Sequence, residues 1–376
     1  MSSAVKKEKR EPLIHLSKRV SISPVKAWAI RGTAIFLGLL FCGIAAFLLI
    51  EKLQQNPGKI GDFYYTFIRG SFSTSRKLWK FLRNTAILLC ISLALTPAFR
   101  MRFWNIGGEG QTLVGVLGAI AVAFYLGGKI PEWLLLILML FAALAAGALW
   151  GVIPAVFRAK WGTNETLFTL MMNYVATYLV SYFLVIWVPS GSSSLGKLKN
   201  GKLPILVNEQ LLTILIVLLL TAGLYIYLSY TKHGYEISVV GESIRTARYV
   251  GIKVNRVMLR TMILSGALCG LAGYLIAAGA DQTVTTNSAG GQGFTAILVT
   301  WLGKFNPLLM ILTAALIQLL NQGAGQISQD FSVNNSLPNV IVGIVLFFII
   351  GSEFFVNYEI HFRKHKRTDA ERGTVR

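Results

Sequence analysis

The chain has 376 residues, of which 54% are hydrophobic and 14% charged, and its formal charge is +20. Soluble domains carry about 25% charged residues, so a chain this poor in charge, with apolar runs along its whole length, is a polytopic membrane protein and not a soluble enzyme or adaptor. The positive charge does not indicate nucleic acid. Eight Lys/Arg precede Thr33 and six follow Val356, flanking apolar runs as the charge rule for membrane spans produces.

In chain order, a basic cytoplasmic tail over 1–28 leads into ten apolar segments. These lie at 29–50, 82–99, 111–128, 132–156, 166–188, 209–230, 258–280, 291–303, 305–322 and 337–355. Their centres hold no Asp, Glu, Lys or Arg, as the cost of a charge in lipid requires. The expected fold is an all-α polytopic membrane domain over 29–355 with about ten transmembrane helices. The eighth segment falls short of the roughly 20 residues a crossing needs, and reads as a half-helix or a broken one. A basic start before an apolar run also resembles a signal peptide, but 32–50 is long enough to span and reads as a retained first helix.

An even number of spans and two basic tails, 1–28 and 356–376, place both termini in the cytoplasm. Residues 189–208 then form an extracytoplasmic loop and 230–257 a cytoplasmic one. The segment between the first two spans runs against the charge rule, since it carries Lys52, Lys59, Arg69, Arg76, Lys77 and Lys80 on the outer side. Its stretch FYYTFIRGSFSTSRKLWKFL reads as an amphipathic helix lying on the membrane surface. Trp28, Trp104, Trp133, Trp161 and Trp187 sit near the ends of apolar runs, where indole rings anchor at the interface.

Cys42, Cys90 and Cys269 all fall inside apolar runs and read as small hydrophobes, with neither a disulfide framework nor metal spacing. GSSSLGKL (191–198) approaches a phosphate-binding loop, yet Leu198 stands where the Ser/Thr for magnesium belongs and an apolar span precedes it in place of a strand. SAGGQ (288–292) has the look of an ATPase signature loop without the soluble domain such a loop needs. His361 and His365 have i,i+4 spacing, but their neighbours are cations. No catalytic constellation and no metal site emerges, and the chain is not expected to be an enzyme.

Two motifs echo each other. GGEGQT (107–112) and GGQGFT (290–295) both read G-G-[EQ]-G-x-T beside an apolar run, and an internal repeat with Gly-interrupted helices at matching positions is a transporter pattern. In the polar stretch 229–257, Ser243 is placed to cap a short helix. Ile244, Ala247 and Val250 then share one apolar face beside Arg245 and Arg248. Such a helix offers a knob to a partner protein; the alternative is a basic loop on lipid headgroups.

Three segments, in this order, resemble one family. FWNIGGEGQTLVG is similar to the F-N-I-G-x-E-G-Q motif of ABC importer permeases of the branched-chain amino acid, ribose and nucleoside group. VVGESIRTARYVGI resembles that group's G-x-N-P-x-A-A-R-Y-A-G-I, and NSAGGQGFTAILVTWLGKFNP its third, Gly-rich motif. The likeness spans 32–355 and is greatest to the nucleoside-type permeases linked to Bmp lipoproteins. Trp104, the Ser243–Ile244 pair in place of Asn-Pro, and the apolar AILVT (296–300) depart from the pattern. The resemblance implies a coupling helix made of Gly241, Glu242, Ser243, Ile244, Arg245, Thr246, Ala247 and Arg248, seated in a groove of a cytoplasmic ABC ATPase. It further implies a second permease subunit, a paralogue in a heterodimer, and an extracytoplasmic substrate-binding lipoprotein, all at a bacterial cytoplasmic membrane. ATP and magnesium belong to the ATPase, so this chain is expected to bind no cofactor and, apart from lipid and these proteins, no nucleic acid.

Glu109, one acid among glycines, has two readings. In the first turn of a helix it is favoured by the helix dipole and can accept from free N–H groups. Alternatively it lines a translocation path with Asn105, Gln111, Asn173, Gln282, Gln292 and Asn321, amides that suit the hydroxyls and ring nitrogens of a nucleoside. Simple sugars or branched-chain amino acids are the rival cargoes. An ion-coupled secondary transporter using Glu109 or Asp281 is the rival class.

Overall fold

A computed structural model describes residues 14–19, 22–50, 53, 55–188, 194–333 and 336–362. Most of the two basic tails, and 191–193 of the loop resembling a phosphate site, lie outside them. Thirteen α-helices and a single two-stranded ribbon make up the regular structure among the described residues. Among the described residues nine helices are long and apolar enough to cross a membrane, and Gln292–Leu302 is a shorter apolar helix. Its 11 residues rise about 16 Å, half of a hydrocarbon core of about 30 Å, as expected for the eighth segment.

The chain divides into two compact units, 1–66 with 324–376, and 67–323. In the first, strand β1 (Ile14–Lys18) pairs antiparallel with β2 (Tyr358–Phe362), His15 opposite His361. Helix α1 (Pro24–Leu49) follows. Ser23 caps it, accepting from Lys26 N, and proline opens it, where a missing N–H costs nothing. It packs on the last helix, α13 (Ser336–Asn357). Arg31 donates to Glu353 Oε1 at 2.6 and 2.9 Å, and Cys42 Sγ reaches Ile341 O. The stretch 63–82, expected as one amphipathic helix, is broken by a turn over 70–74, and 75–82 open the next, spanning helix; the amphipathic element is the shorter α2 (Ile60–Arg69). It buries Phe63 and Phe67, exposes Tyr65 and Ile68, and its Tyr64 hydroxyl donates to Leu39 O.

The second unit holds α3 (Ser75–Arg100), α4 (Gly108–Leu126), α5 (Glu132–Trp161), α6 (Glu165–Trp187), α7 (Leu211–Tyr230), α8 (Lys232–Glu242), α9 (Ile244–Tyr249), α10 (Val254–Ile276), α11 (Gln292–Leu302) and most of α12 (Pro307–Phe331). Helix α3 is buried almost all round, which lets it carry Ser92 and Thr96, their hydroxyls bonded to carbonyls one turn back. Around it, α4, α5 and α10 meet along a seam of small residues. A Cβ on Gly270 would lie 2.1 Å from Ala143 O, and one on Gly266 2.3 Å from Gly147 O. Only bare backbone permits such approach, and in lipid this close packing is itself what drives helix association.

Helix α12 runs nine residues past the expected end at 322. Polar side chains from Gln322 to Asp330 end the apolar run, but nothing there breaks the backbone hydrogen bonding. Helix α10 ends in a π turn over Ala277–Asp281, with Gly279 out of helical geometry and Gln282 left-handed at φ +50°. Carbonyls freed inside a membrane need donors. The loop after α6 supplies them: Leu203 N donates to Ala278 O, Leu198 N to Gln282 O, and Leu195 N to Val284 O, at 2.8–3.1 Å. Arg83 of α3, buried, adds an ion pair to Asp281 at 2.9 Å.

Candidate functional site

The two glycine motifs each open a helix, and the structure brings the openings together. GGEGQT starts α4 and GGQGFT starts α11. Glu109 Oε1 accepts from Gly291 N at 2.8 Å and Oε2 from Gly293 N at 2.7 Å. The two helix starts touch backbone to backbone, since a Cβ on Gly293 would lie 2.2 Å from Glu109 N. Gly290 and Gly291 both take positive φ, +61° and +73°, a conformation that glycine adopts without strain. The carboxylate thus sits on the positive end of a half-helix.

The first-turn position predicts that Glu109 serves the helix it opens; its carboxylate instead serves the start of the other one. Its own helix start is already occupied: Gly110 N donates to Asn173 Oδ1 at 2.9 Å, and Gly107 N to Asn105 Oδ1 at 3.0 Å. The carboxylate is therefore free to reach across to residues 182 and 184 positions later.

The depth of this junction follows from its neighbours. Gln111 lies beside Gly151 of α5, and Asn105 Nδ2 donates to Ser265 of α10 at 3.2 Å. Both positions are ten or eleven residues inside their helices, about 15 Å from the ends. Glu109 is therefore near the middle of the bundle of spans, where a lone acid needs the partners it has.

The remaining predicted path residues divide by environment. Asn105, Gln111 and Asn173 are buried and their amides are spent on protein. Asn105 and Gln111 exchange two bonds at 3.2–3.3 Å, while Asn173 Nδ2 donates to Ile106 O at 3.0 Å. Thr169, which the sequence reading did not single out, accepts from Ile106 N at 3.1 Å. These residues of α6 clamp the turn that carries Glu109. Gln282, Gln292 and Asn321 remain at least partly exposed. The amide oxygen of Gln292, the counterpart of Glu109 in the second motif, is buried with no hydrogen-bond partner among the described residues.

Elsewhere in the unit, the segment 232–252 forms two helices, where the sequence predicts one short helix in a polar stretch. Gly241 and Glu242 close α8, and Gly241 is pressed against Arg100 O, which a Cβ would meet at 2.0 Å. Ser243 breaks the chain direction and caps α9, its hydroxyl accepting from Thr246 N at 3.2 Å. The expected apolar face is split. Ala247 is buried, whereas Ile244 and Val250 are exposed together with Tyr249, at 92%. Arg245 and Arg248 are exposed as well. The helix ends in a Schellman motif: Gly251 N donates to Arg248 O and Ile252 N to Ala247 O, with Gly251 at φ +82°. The run ARYVGI spells this stop, with the glycine at the left-handed position.

Residues 78–350 match the family model described as branched-chain amino acid transport system / permease component. The chain is 29% identical to the glucose ABC transporter permease protein TsgB13 of Haloferax volcanii, over 89% of this chain and 91% of the relative. It is 29% identical to the guanosine ABC transporter permease protein NupP of Bacillus subtilis, over 83% and 91%. It is 26% identical to the nucleoside ABC transporter permease protein NupB of Lactococcus lactis subsp. cremoris, over 83% and 89%.

Proposed function

The chain belongs to the family of permease components of branched-chain amino acid type transport systems, and on that premise we propose that it forms one half of the path of an ATP-driven nucleoside importer. A second permease, a paralogue, supplies the other half. A lipoprotein delivers cargo from outside, and a cytoplasmic ABC ATPase drives the cycle. The guanosine and nucleoside permeases among its relatives favour this cargo. The equally similar glucose permease favours sugars as the second reading.

The observation that carries the mechanism is the carboxylate bridge from Glu109 to the start of α11. A half-helix held at its inner end by one side chain is an element with two available positions, held or released, as alternating access requires. Force enters through the α8–α9 segment, whose exposed Ile244, Tyr249 and Val250 form an apolar knob flanked by Arg245 and Arg248. Gly241 rests on the end of α3, so a push on the knob reaches the scaffold around α11. The path runs past Glu109, Gln292 and Asn321 and holds cargo weakly, because affinity belongs to the delivering protein. Both termini lie in the cytoplasm.

The test is affinity purification from native membranes, followed by uptake in vesicles. Recovery of a Walker-motif ATPase with this chain, lost in an Arg245→Glu/Arg248→Glu double variant, together with ATP-dependent guanosine uptake, is the expected result. Uptake of glucose and not guanosine moves the cargo to sugars. Uptake driven by a proton gradient with no ATPase present overturns the importer reading.

A further inference from the structure

Helix α6 presents to its surroundings a face that lipid does not suit. Leu167, Met171, Tyr174, Tyr178, Tyr182 and Val185 recur at three- and four-residue intervals, and each is more than half exposed. At 100° per residue they fall within a stripe about 80° wide. The opposite face, with Asn173, Ala176, Val180 and Leu184, is buried against the bundle. Tyr178 is the most exposed of the three tyrosines, at 74%, and lies near the centre of the span. None of the three hydroxyls makes a hydrogen bond among the described residues.

Other outward faces set the standard. Mid-span, α1 exposes Phe36, Phe41 and Ile44, α5 exposes Ile137 and Phe141, and α7 exposes Leu218 and Leu219. All of these are hydrocarbon. On α5 the exposed aromatic residues with polar atoms, Trp133 and Trp161, stand at its ends, the usual interfacial place. Six of the spans are mostly unburied, and α6 shares with α12 the lowest apolar character among them. A phenol held in hydrocarbon with no partner loses its hydrogen bonds to water. Three on one stripe mark a face that meets water or polar groups.

Resting on the importer reading above, we infer that this stripe is a wall of the water-filled path between the two permease subunits. There Tyr174 and Tyr178 recognise the cargo, ring face to nucleobase and hydroxyl to ribose or base edge. Stacking on an aromatic face is tolerant of which base is carried; the hydroxyls add discrimination against cargo lacking polar edges. The same helix clamps the Glu109 turn through Thr169 and Asn173, so the contact surface and the half-helix junction share one rigid support.

Single Tyr174→Cys and Tyr178→Cys variants in the complete transporter test this, with Phe141→Cys as the lipid-facing control. The native Cys42, Cys90 and Cys269 are buried and give a low background. In membrane vesicles, a charged methanethiosulfonate reacts only with a thiol that water reaches as thiolate. The expected result is modification of both α6 thiols at least tenfold faster than at Phe141→Cys. Tyr178→Phe, normal in yield, should lower guanosine uptake about three- to tenfold, the value of one hydrogen bond. Rates equal to the Phe141→Cys control overturn the inference, whether lipid or a dry subunit contact covers the stripe. ATP-driven uptake by the unlabelled variants is measured in the same vesicles. Where it is present and the thiols stay silent, only this inference falls; where uptake needs no ATPase, the importer reading falls.

Discussion

Replacing Glu109 by glutamine changes one atom and separates two jobs. In the native chain both carboxylate oxygens accept backbone N–H bonds, from Gly291 and Gly293 at 2.8 and 2.7 Å. A hydrogen bond to a charged group contributes about 1.5–3 kcal/mol, and a charge at a helix start roughly 0.3–1 kcal/mol, more when partly buried. Glutamine keeps one acceptor and turns an NH2 towards the other N–H, so the loss is about 2–4 kcal/mol. The buried thiols of Cys42, Cys90 and Cys269 supply the assay. A thiol-reactive fluorophore should report an apparent Tm lower by at least about 4 °C in detergent, taking roughly 2–4 °C per kcal/mol. Glu109→Ala should be no milder. An unchanged Tm with abolished uptake would refute the reasoning, since the carboxylate would then act on the cargo and not on α11.

Other predictions follow from the packing. Gly270→Ala should abolish recovery of folded protein by fluorescence size exclusion, because its Cβ meets the Ala143 carbonyl at 2.1 Å, while Gly223→Ala, with nothing within 4 Å, should be recovered normally. Arg31→Ala should cost about 1.5–3 kcal/mol and speed Cys42 labelling more than Cys90 labelling, and the exchange Arg31→Glu/Glu353→Arg should restore the native rate. Gly251→Val places a β-branched residue at φ +82°; it should weaken recovery of the ATPase severalfold, with Gly251→Asn milder, since asparagine tolerates left-handed backbone.

Much of the scaffold was readable in the chain. The apolar runs gave the spans because lipid forbids mid-span charge, and the shortness of 291–303 gave a half-helix by length alone. Ser243 was readable as a cap, since its side chain and following apolar spacing are local. What the chain concealed was contact between distant segments. The likeness of GGEGQT to GGQGFT was visible, but not that one docks on the other, because nothing local says which N–H groups a carboxylate will find. Asn105, Gln111 and Asn173 illustrate the same limit: an amide that lines an opening and one that clamps a turn are the same letter. The α6 tyrosines were hidden differently. An averaged hydropathy run absorbs three phenols, and only their shared face sets them apart.

The ribbon and the α1–α13 pair have a consequence for biosynthesis. Arg31 and Glu353 lie 322 positions apart, yet they are partners in the finished protein. At roughly 5–20 residues per second, α1 enters the bilayer about 15–60 s before the helix it packs on exists. During that interval its inward face, including Cys42 and Ala46, has only lipid or the insertion machinery for company, and Arg31 is without its counterion. Helix α1 is thus made early and assembled late, and the Arg31–Glu353 ion pair closes only once the far end of the chain has been synthesised.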